Sequence, residues 1–176
     1  MADGGTAKVE RSQAEGLRLF TSAEFYRMAE LGIIGPDERV ELVGGLIYEM
    51  SPINPWHADA VDALNEVLTL ALSGRARVRA QNPLHLDDMS DPQPDVAVVV
   101  PREGGYRDRH PVPAEIHLLA EVADSTLRDD ARRKIPRYAR AGIPEFGRAC
   151  AVKCHPSYIR GLADLAESAM ANLVRG

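Results

Sequence analysis

The sequence predicts a mixed α/β fold in which helices pack against one small sheet. Apolar residues recur at helical spacing in three stretches, and short runs rich in Val, Ile and Leu stand between Pro and Gly, as buried strands do. In chain order the elements are a helix, a hairpin, a helix, three strands and a helix. A chain of 176 residues is long enough for one domain with a substantial core.

The predicted helices cover residues 23–31, 55–72 and 129–140. Thr21 or Ser22 is suited to cap the first helix, because a side-chain oxygen there accepts a free backbone N–H. Asn54 is the corresponding cap of the second helix, and Pro55 fits its first turn. Capping residues and apolar stripes therefore agree on where these helices begin.

The predicted strands cover residues 40–43, 46–49, 75–80, 95–100 and 115–122. Gly44 and Gly45 separate the first two, which predicts a hairpin with a two-residue turn. In its first arm, Glu41 faces away from Val40 and Leu42, because side chains alternate along a strand. On this pattern alone, a solvated Glu41 is the favoured interpretation.

The composition is that of a soluble globular protein, with 45% hydrophobic residues and a formal net charge of -5. We expect no membrane span, because no apolar run reaches the roughly 18 residues that one needs. The polar N-terminus has no apolar signal core, which predicts a cytoplasmic protein. Cys150 and Cys154 are expected to be reduced thiols, and with His155 they lack a complete zinc ligand set.

Two carboxylates stand at the edges of the central apolar runs. Asp95 precedes the run at residues 96–100, and Glu121 ends the run at residues 116–120. An unpaired charge at the end of a buried strand is costly to desolvate, and two such acids on adjacent strands repel each other. A cation between them would remove that cost. The pattern therefore predicts a metal site at Asp95 and Glu121, with Lys134 on the following helix beside it.

Five segments follow one another between residues 20 and 146: RVELVGGLIYEMSP, His57, QNPLHL, QPDVAVV and AEVADSTLRDDARRKIPRYARAGIPEF. In this order they resemble the Uma-type family of restriction endonucleases, which belongs to the PD-(D/E)XK nuclease superfamily. The resemblance implies a restriction-endonuclease-like fold, a mixed central sheet flanked by helices, with the site at one end of the sheet. It further implies Mg²⁺-dependent (or Mn²⁺-dependent) hydrolysis of phosphodiester bonds in DNA, and a homodimer by analogy.

By matching position, the resemblance implies that Asp95 and Glu121 bind the metal and act in catalysis. The family lysine usually lies two residues after the glutamate, where this chain has Ala123. The resemblance points instead to Lys134 on the next helix as the catalytic lysine. Glu41 matches an early acidic position, which implies a further metal ligand or a partner of one.

Accessory roles follow from the same resemblance. His57 and Gln81 match family positions and are expected to touch the site. By itself, a lone histidine at a helix entry is more often a surface or hydrogen-bonded residue than a ligand. A basic helix face is expected to hold the phosphates of the nucleic acid, through Arg128, Arg132 and Arg133.

The resemblance is expected to stop after Phe146. The predicted organisation is a disordered leader at residues 1–18, a nuclease-like domain at residues 19–146, and a divergent tail at residues 147–176 with a helical stripe. The C-terminal strands of the family are then expected to be missing, through a frameshift or a truncated gene. Such a loss would leave an exposed sheet edge and would inactivate the enzyme.

Two alternatives stay open on the sequence. The chain could keep the nuclease fold without catalysis and bind nucleic acid or a partner. It could also be a structural fragment in which neighbouring arginines, Arg132 or Arg133, satisfy the acids.

Overall fold

The computed structural model describes residues 16–123, 128–143 and 146–150, and for residues 123, 128–132 and 146–150 it describes the backbone alone. Within these residues the chain forms three α-helices, one short 3₁₀ turn and six strands. The predicted mixed α/β plan is therefore confirmed. No helix among the described residues has the length and apolar character that crossing a membrane requires.

The helices are α1 (Ser22–Glu30), α2 (Pro55–Ala71) and α3 (Arg128–Arg140). A capping box starts α1, because the Thr21 side chain accepts the Glu24 N–H while the Glu24 carboxylate accepts the Thr21 N–H. Asn54 starts α2 by accepting the His57 N–H at 2.9 Å. The caps predicted at Thr21 and Asn54 are thus confirmed.

The strands are β1 (Val40–Val43), β2 (Leu46–Glu49), β3 (Arg77–Ala80), β4 (Val96–Val99), β5 (Ile116–Ala123) and β6 (Phe146–Cys150). The first two form an antiparallel hairpin, and the others form a sheet in the order β3-β4-β5-β6. In that sheet β3, β4 and β5 run antiparallel, while β6 runs parallel to β5. The predicted mixed central sheet is confirmed.

The apolar core lies on both faces of this sheet. On one face, Leu64 and Leu68 of α2 pack with Val96, Val98 and Leu118. Residues on the other face include Tyr138 of α3 and the loop residues that follow β3 and α3; the buried members are Leu84, Leu86, Ala97, Val99, Ile116, Leu119, Tyr138 and Ile143. The helices therefore flank the sheet, and the side chains of α3 reach its surface near Glu121.

The β1–β2 hairpin is docked against the segment that leads into β4. Asp91 donates its N–H to the Leu42 carbonyl at 2.9 Å, and Gly45 donates to the Met89 carbonyl at 2.8 Å. The Gly45 carbonyl in turn accepts the Phe20 N–H at 2.8 Å. This docking brings Glu41 of β1 to the end of the sheet where Asp95 lies.

The predicted domain boundary at residue 146 coincides with the first residue of β6. Residues 147–150 were expected to begin a divergent, helical tail, but their backbone pairs in parallel register with residues 120–123 of β5. An apolar strand such as β5 exposes a row of unpaired backbone groups unless a neighbour covers it. The rest of the predicted leader and tail, residues 1–15 and 151–176 with Cys154 and His155, lies outside the described residues.

Candidate functional site

Asp95 and Glu121 meet at one end of the sheet. The antiparallel register pairs Val96 with Ala120, so the residue before Val96 lies beside the residue after Ala120. The Asp95 N–H is 3.4 Å from the Glu121 Oε2 atom. The two acids predicted to be neighbours are therefore brought together by the strand pairing.

Three side chains or backbone groups hold the Asp95 carboxylate. Its Oδ2 atom accepts the Val122 N–H at 2.7 Å, and its Oδ1 atom is 2.8 Å from His57 Nε2. The Gln81 Nε2 atom lies 3.5 Å from the same Oδ1 atom. His57 and Gln81, predicted as accessory residues, both touch Asp95. The hydrogen bond to Asp95 raises the pKa of His57, against the opposing effects of burial and of the Arg39 charge.

Lys134 lies between two carboxylates, those of Glu41 and Glu121. Its Nζ atom is 3.0 Å from Glu41 Oε2 and 3.8 Å from Glu121 Oε1, and it donates to the Gln93 carbonyl at 3.1 Å. A buried ammonium group needs such acceptors, because removing it from water costs several kcal/mol, on the order of the attraction gained. Lys134 therefore links β1, β5 and the entry to β4.

The expectation from strand alternation that Glu41 is solvated is wrong, since this side chain is only 3% exposed. Alternation separates the two faces of a strand, but it does not reveal whether both faces are covered. Here the segment before β4 covers the second face, and Gln93 donates its N–H to Glu41 Oε2 at 2.8 Å. The acid is compensated by Lys134 rather than by water.

Two residues of the site were missed by reasoning from the sequence. Tyr138 is fully buried and donates its hydroxyl to Glu121 Oε1 at 2.6 Å. Its spacing of four residues from Lys134 on one helix was an available signal, because such residues share a face. Gln93 contributes its backbone N–H and carbonyl to Glu41 and Lys134, and no side-chain pattern signals a role of that kind.

Gln81 adopts an unusual backbone conformation beside the site. Its φ angle is +49°, in the left-handed region that residues other than glycine rarely adopt. The Gln81 N–H donates to the Asp95 carbonyl at 3.0 Å. Strained residues of this kind concentrate at functional sites, where the surroundings hold them in place.

The predicted phosphate-binding arginines are described only in part. The Arg133 guanidinium lies 4.3 Å from the centre of the Tyr48 ring, so it packs on the β1–β2 hairpin. The side chains of Arg128 and Arg132 lie outside the described residues. A phosphate-binding role for all three stays a prediction.

The donor set at Asp95 and Glu121 fits Mg²⁺. Among the described residues, no three His, Cys, Asp or Glu side chains lie close enough together to hold a metal ion on their own. Mg²⁺ is usually held by one or two carboxylates, with water and substrate phosphate completing its coordination. The Asp95 and Glu121 side chains are 14% and 10% exposed, against 3% for Glu41. Asp95 and Glu121 are therefore more exposed than Glu41, although Glu121 as a whole residue is buried.

Comparison with solved structures supports the fold. A crystal structure of a "putative nuclease belonging to DUF820" from Anabaena variabilis ATCC 29413 matches with a TM-score of 0.52 and 14% sequence identity. The match covers 76% of this chain and 90% of that chain. At this identity the likeness concerns the fold alone. No curated protein matches the chain.

A family model gives the more specific result. The Uma2 model, described as "Putative restriction endonuclease", matches residues 22–153. The family likeness therefore continues past residue 146, where we expected it to stop, and it includes all of β6. Because the match covers most of the chain and includes Asp95, Glu121 and Lys134, the chain belongs to the Uma2 family.

Proposed function

We propose that this chain is a metal-dependent endonuclease that hydrolyses phosphodiester bonds in DNA. The observation that carries the proposal is the pair of carboxylates, Asp95 and Glu121, which meet at the end of a mixed sheet beside the buried Lys134. Membership of a family described as restriction endonucleases supports the same reaction class.

Asp95 and Glu121 would hold the metal. The chemistry that Mg²⁺ or Mn²⁺ supplies when bound is polarisation of the scissile phosphate and acidification of a water molecule. The Val122 N–H and His57 fix the Asp95 carboxylate, so its orientation does not depend on the metal. Tyr138 fixes Glu121 in the same way through its hydroxyl. Such fixed ligands reduce the reorganisation needed when substrate binds.

Lys134 would balance the charge of the carboxylates. Its ammonium group lies near Glu41 and Glu121, which keeps two buried acids compatible with one another. We further propose that Lys134 stabilises negative charge that develops on the phosphate during attack, and that Arg128, Arg132 and Arg133 bind backbone phosphates.

The alternative is a non-catalytic protein that keeps the fold and binds nucleic acid or a partner. One observation favours it. Lys134 is directed at Gln93, Glu41 and Glu121, and an ammonium group has three N–H donors. A lysine so engaged would stabilise the fold without acting on a phosphate. A tail beyond residue 150 that differs from that of the family would likewise leave a folded protein without catalysis.

DNA cleavage distinguishes the two proposals. Plasmid and oligonucleotide DNA are incubated with the wild type, with Asp95→Asn, and with Asp62→Asn as a matched control on the exposed face of α2. We expect cleavage only with Mg²⁺ or Mn²⁺, a loss of about 100-fold or more in Asp95→Asn, and no change in Asp62→Asn.

The contrary results are equally specific. Salt-sensitive DNA binding that survives Asp95→Asn, with no cleavage by the wild type, would select the non-catalytic alternative. Cleavage of RNA but not DNA would retain the reaction class and change the substrate. If the wild type neither bound nor cleaved nucleic acid, a structural role would remain.

A further inference from the structure

An apolar segment borders the site. Residues 51–56, which we name the apolar lip, run from the segment after β2 into the first turn of α2 and are all exposed. Four of the six are apolar, namely Pro52, Ile53, Pro55 and Trp56. Ile53 is 40% exposed and Trp56 is 46% exposed. Exposed apolar residues clustered in one short segment are a feature of binding surfaces.

The lip leads directly into His57, which contacts Asp95. Trp56 directly precedes His57 in the first turn of α2, and His57 Nε2 is 2.8 Å from Asp95 Oδ1. Asn54 holds the same turn by accepting the His57 N–H at 2.9 Å. Two prolines restrict the backbone of the lip further. Trp56 is therefore held in the first turn of α2, one residue before a side chain that contacts Asp95.

The positively charged side chain of Arg39 lies beside the lip. The exposed Arg39 donates through Nη1 to the Ser51 carbonyl at 3.5 Å, and its own carbonyl accepts the Met50 N–H at 2.8 Å. Its charge also reaches His57, where it partly opposes the effect of Asp95 on the pKa. An exposed aromatic residue and a guanidinium group thus both adjoin His57, by sequence and by charge respectively.

We propose that the apolar lip binds nucleobases next to the scissile phosphate, with Trp56 stacked on an unpaired base, so that the preferred substrate is single-stranded or locally opened DNA. The inference rests on the proposed nuclease function for the identity of the ligand. Base faces are buried in a duplex and become available for stacking on an aromatic side chain only where the strand is open. Arg39 supplies the positive charge that holds the adjoining phosphate.

A second copy of the chain is a less suitable occupant. A standard protein–protein interface involves roughly 20–30 residues on each side. The lip offers six residues, and a single aromatic ring among them. That area suits one or two bases better than a stable dimer interface.

The chain contains one tryptophan, so its fluorescence reports on the lip alone. The wild type in EDTA, where metal-dependent cleavage is excluded, is titrated with a single-stranded DNA oligonucleotide and with the duplex of the same sequence. We expect saturable quenching of Trp56 by the single strand, and weaker binding of the duplex by about tenfold.

Variants identify the side chain responsible, with affinities measured from the fluorescence anisotropy of a labelled oligonucleotide. Trp56→Ala is expected to weaken binding of the single strand by about tenfold, while Trp56→Phe keeps most of the affinity. Leu70→Ala is the matched control, because Leu70 is 73% exposed at the other end of the same helix. We expect it to bind like the wild type.

Several results would overturn the inference. These are absence of saturable binding, equal affinity of Trp56→Ala and the wild type, or preference for the duplex. A change in oligomeric state in Trp56→Ala, with DNA affinity unchanged, would show that a second copy covers the lip. The binding measurement does not depend on catalysis, so Trp56-dependent binding without cleavage would contradict the nuclease proposal alone.

Discussion

Lys134 and Glu41 form a buried ion pair, with Glu121 close by. Because Glu41 is 3% exposed and Lys134 is 2% exposed, water contributes little to their stabilisation. We expect Lys134→Met to lower the free energy of unfolding by about 3 kcal/mol or more, since it leaves Glu41 and Glu121 buried beside each other. Urea unfolding measures this loss.

The double variant Glu41→Gln with Lys134→Met is the control for that prediction. It removes both members of the closest pair and should recover part of the lost stability. If Lys134→Met alone were as stable as the wild type, the lysine would not be balancing these acids.

At Gln81 we expect glycine to be more stabilising than alanine, the reverse of the usual order. A residue with a side chain costs about 1–2 kcal/mol in the left-handed region, whereas glycine pays roughly 0.5–1 kcal/mol of additional unfolded-state entropy relative to alanine. Both Gln81→Gly and Gln81→Ala lose the contact with Asp95 Oδ1. We therefore expect the glycine variant to be more stable than the alanine variant in urea unfolding. The opposite order would show that residue 81 carries no backbone strain.

At the scale of single residues, the sequence predicted some partners and not others. The proximity of Asp95 and Glu121 could be predicted, because both acids adjoin apolar strands that follow one another in the chain. The pairing of Lys134 with Glu41 could not, since it depends on how the hairpin docks beside the entry to β4. Gln93 acts through its backbone, which leaves no trace in its residue type.

The hairpin turn links the elements around the site. Gly45 has a φ angle of +78°, and a Cβ atom there would lie 2.7 Å from the Cβ atom of Leu19 and 3.3 Å from the Phe20 carbonyl oxygen. Gly32 has a similar φ of +71° but open space around it. We expect Gly32→Ala to cost about 1–2 kcal/mol from conformation, and Gly45→Ala to cost roughly 1–3 kcal/mol more from the clash.

Thermal or urea unfolding of the two glycine variants checks this difference. Equal losses would mean that the chain around residues 19–20 moves freely away from the turn. A larger loss in Gly45→Ala would show that this close approach contributes to holding the hairpin in place.

The loop between β4 and β5 has its own pH dependence. The centres of the His110 and Tyr26 rings are 5.7 Å apart, so His110 packs against α1. Burial lowers the pKa of His110; the charges of Arg79 and His85 act in the same direction, and that of Asp91 opposes them. His110 has its ordinary pKa of about 6.5 in the unfolded chain and a lower pKa in the folded chain. Between these pKa values the unfolded chain binds more protons, so stability is lost as the pH falls below about 6.5. We expect His110→Phe to reduce that loss between pH 7 and 5. An unchanged slope in denaturant unfolding would contradict this.

At the scale of elements, helix starts were predictable and the extent of the sheet was not. Thr21 and Asn54 are local capping signals, and the structure confirms both. Pro136 lies inside α3, where a rule based on residue type alone would place a break. β6 has little strand propensity of its own, because Phe146 is the one strand-favouring residue in its sequence FGRAC. Its extended conformation follows from pairing with β5.

At the scale of the whole molecule, helices on both faces of a mixed sheet position the site at one sheet end. β6 covers the edge of β5 that carries Glu121, with residue 121 paired to residue 148 in the register. The expected loss of C-terminal strands therefore does not extend to this one. Inactivation through the segment beyond residue 150 stays a prediction, as does the frameshift that would explain it.

The most direct test is thermal unfolding with and without Mg²⁺ or Mn²⁺, for the wild type and Asp95→Asn. We expect a cooperative transition whose Tm rises by about 5 °C or more at saturating metal in the wild type alone, because a ligand that binds only the folded chain stabilises it. Either an unchanged Tm in the wild type or an equal rise in Asp95→Asn would contradict a metal site at Asp95 and Glu121.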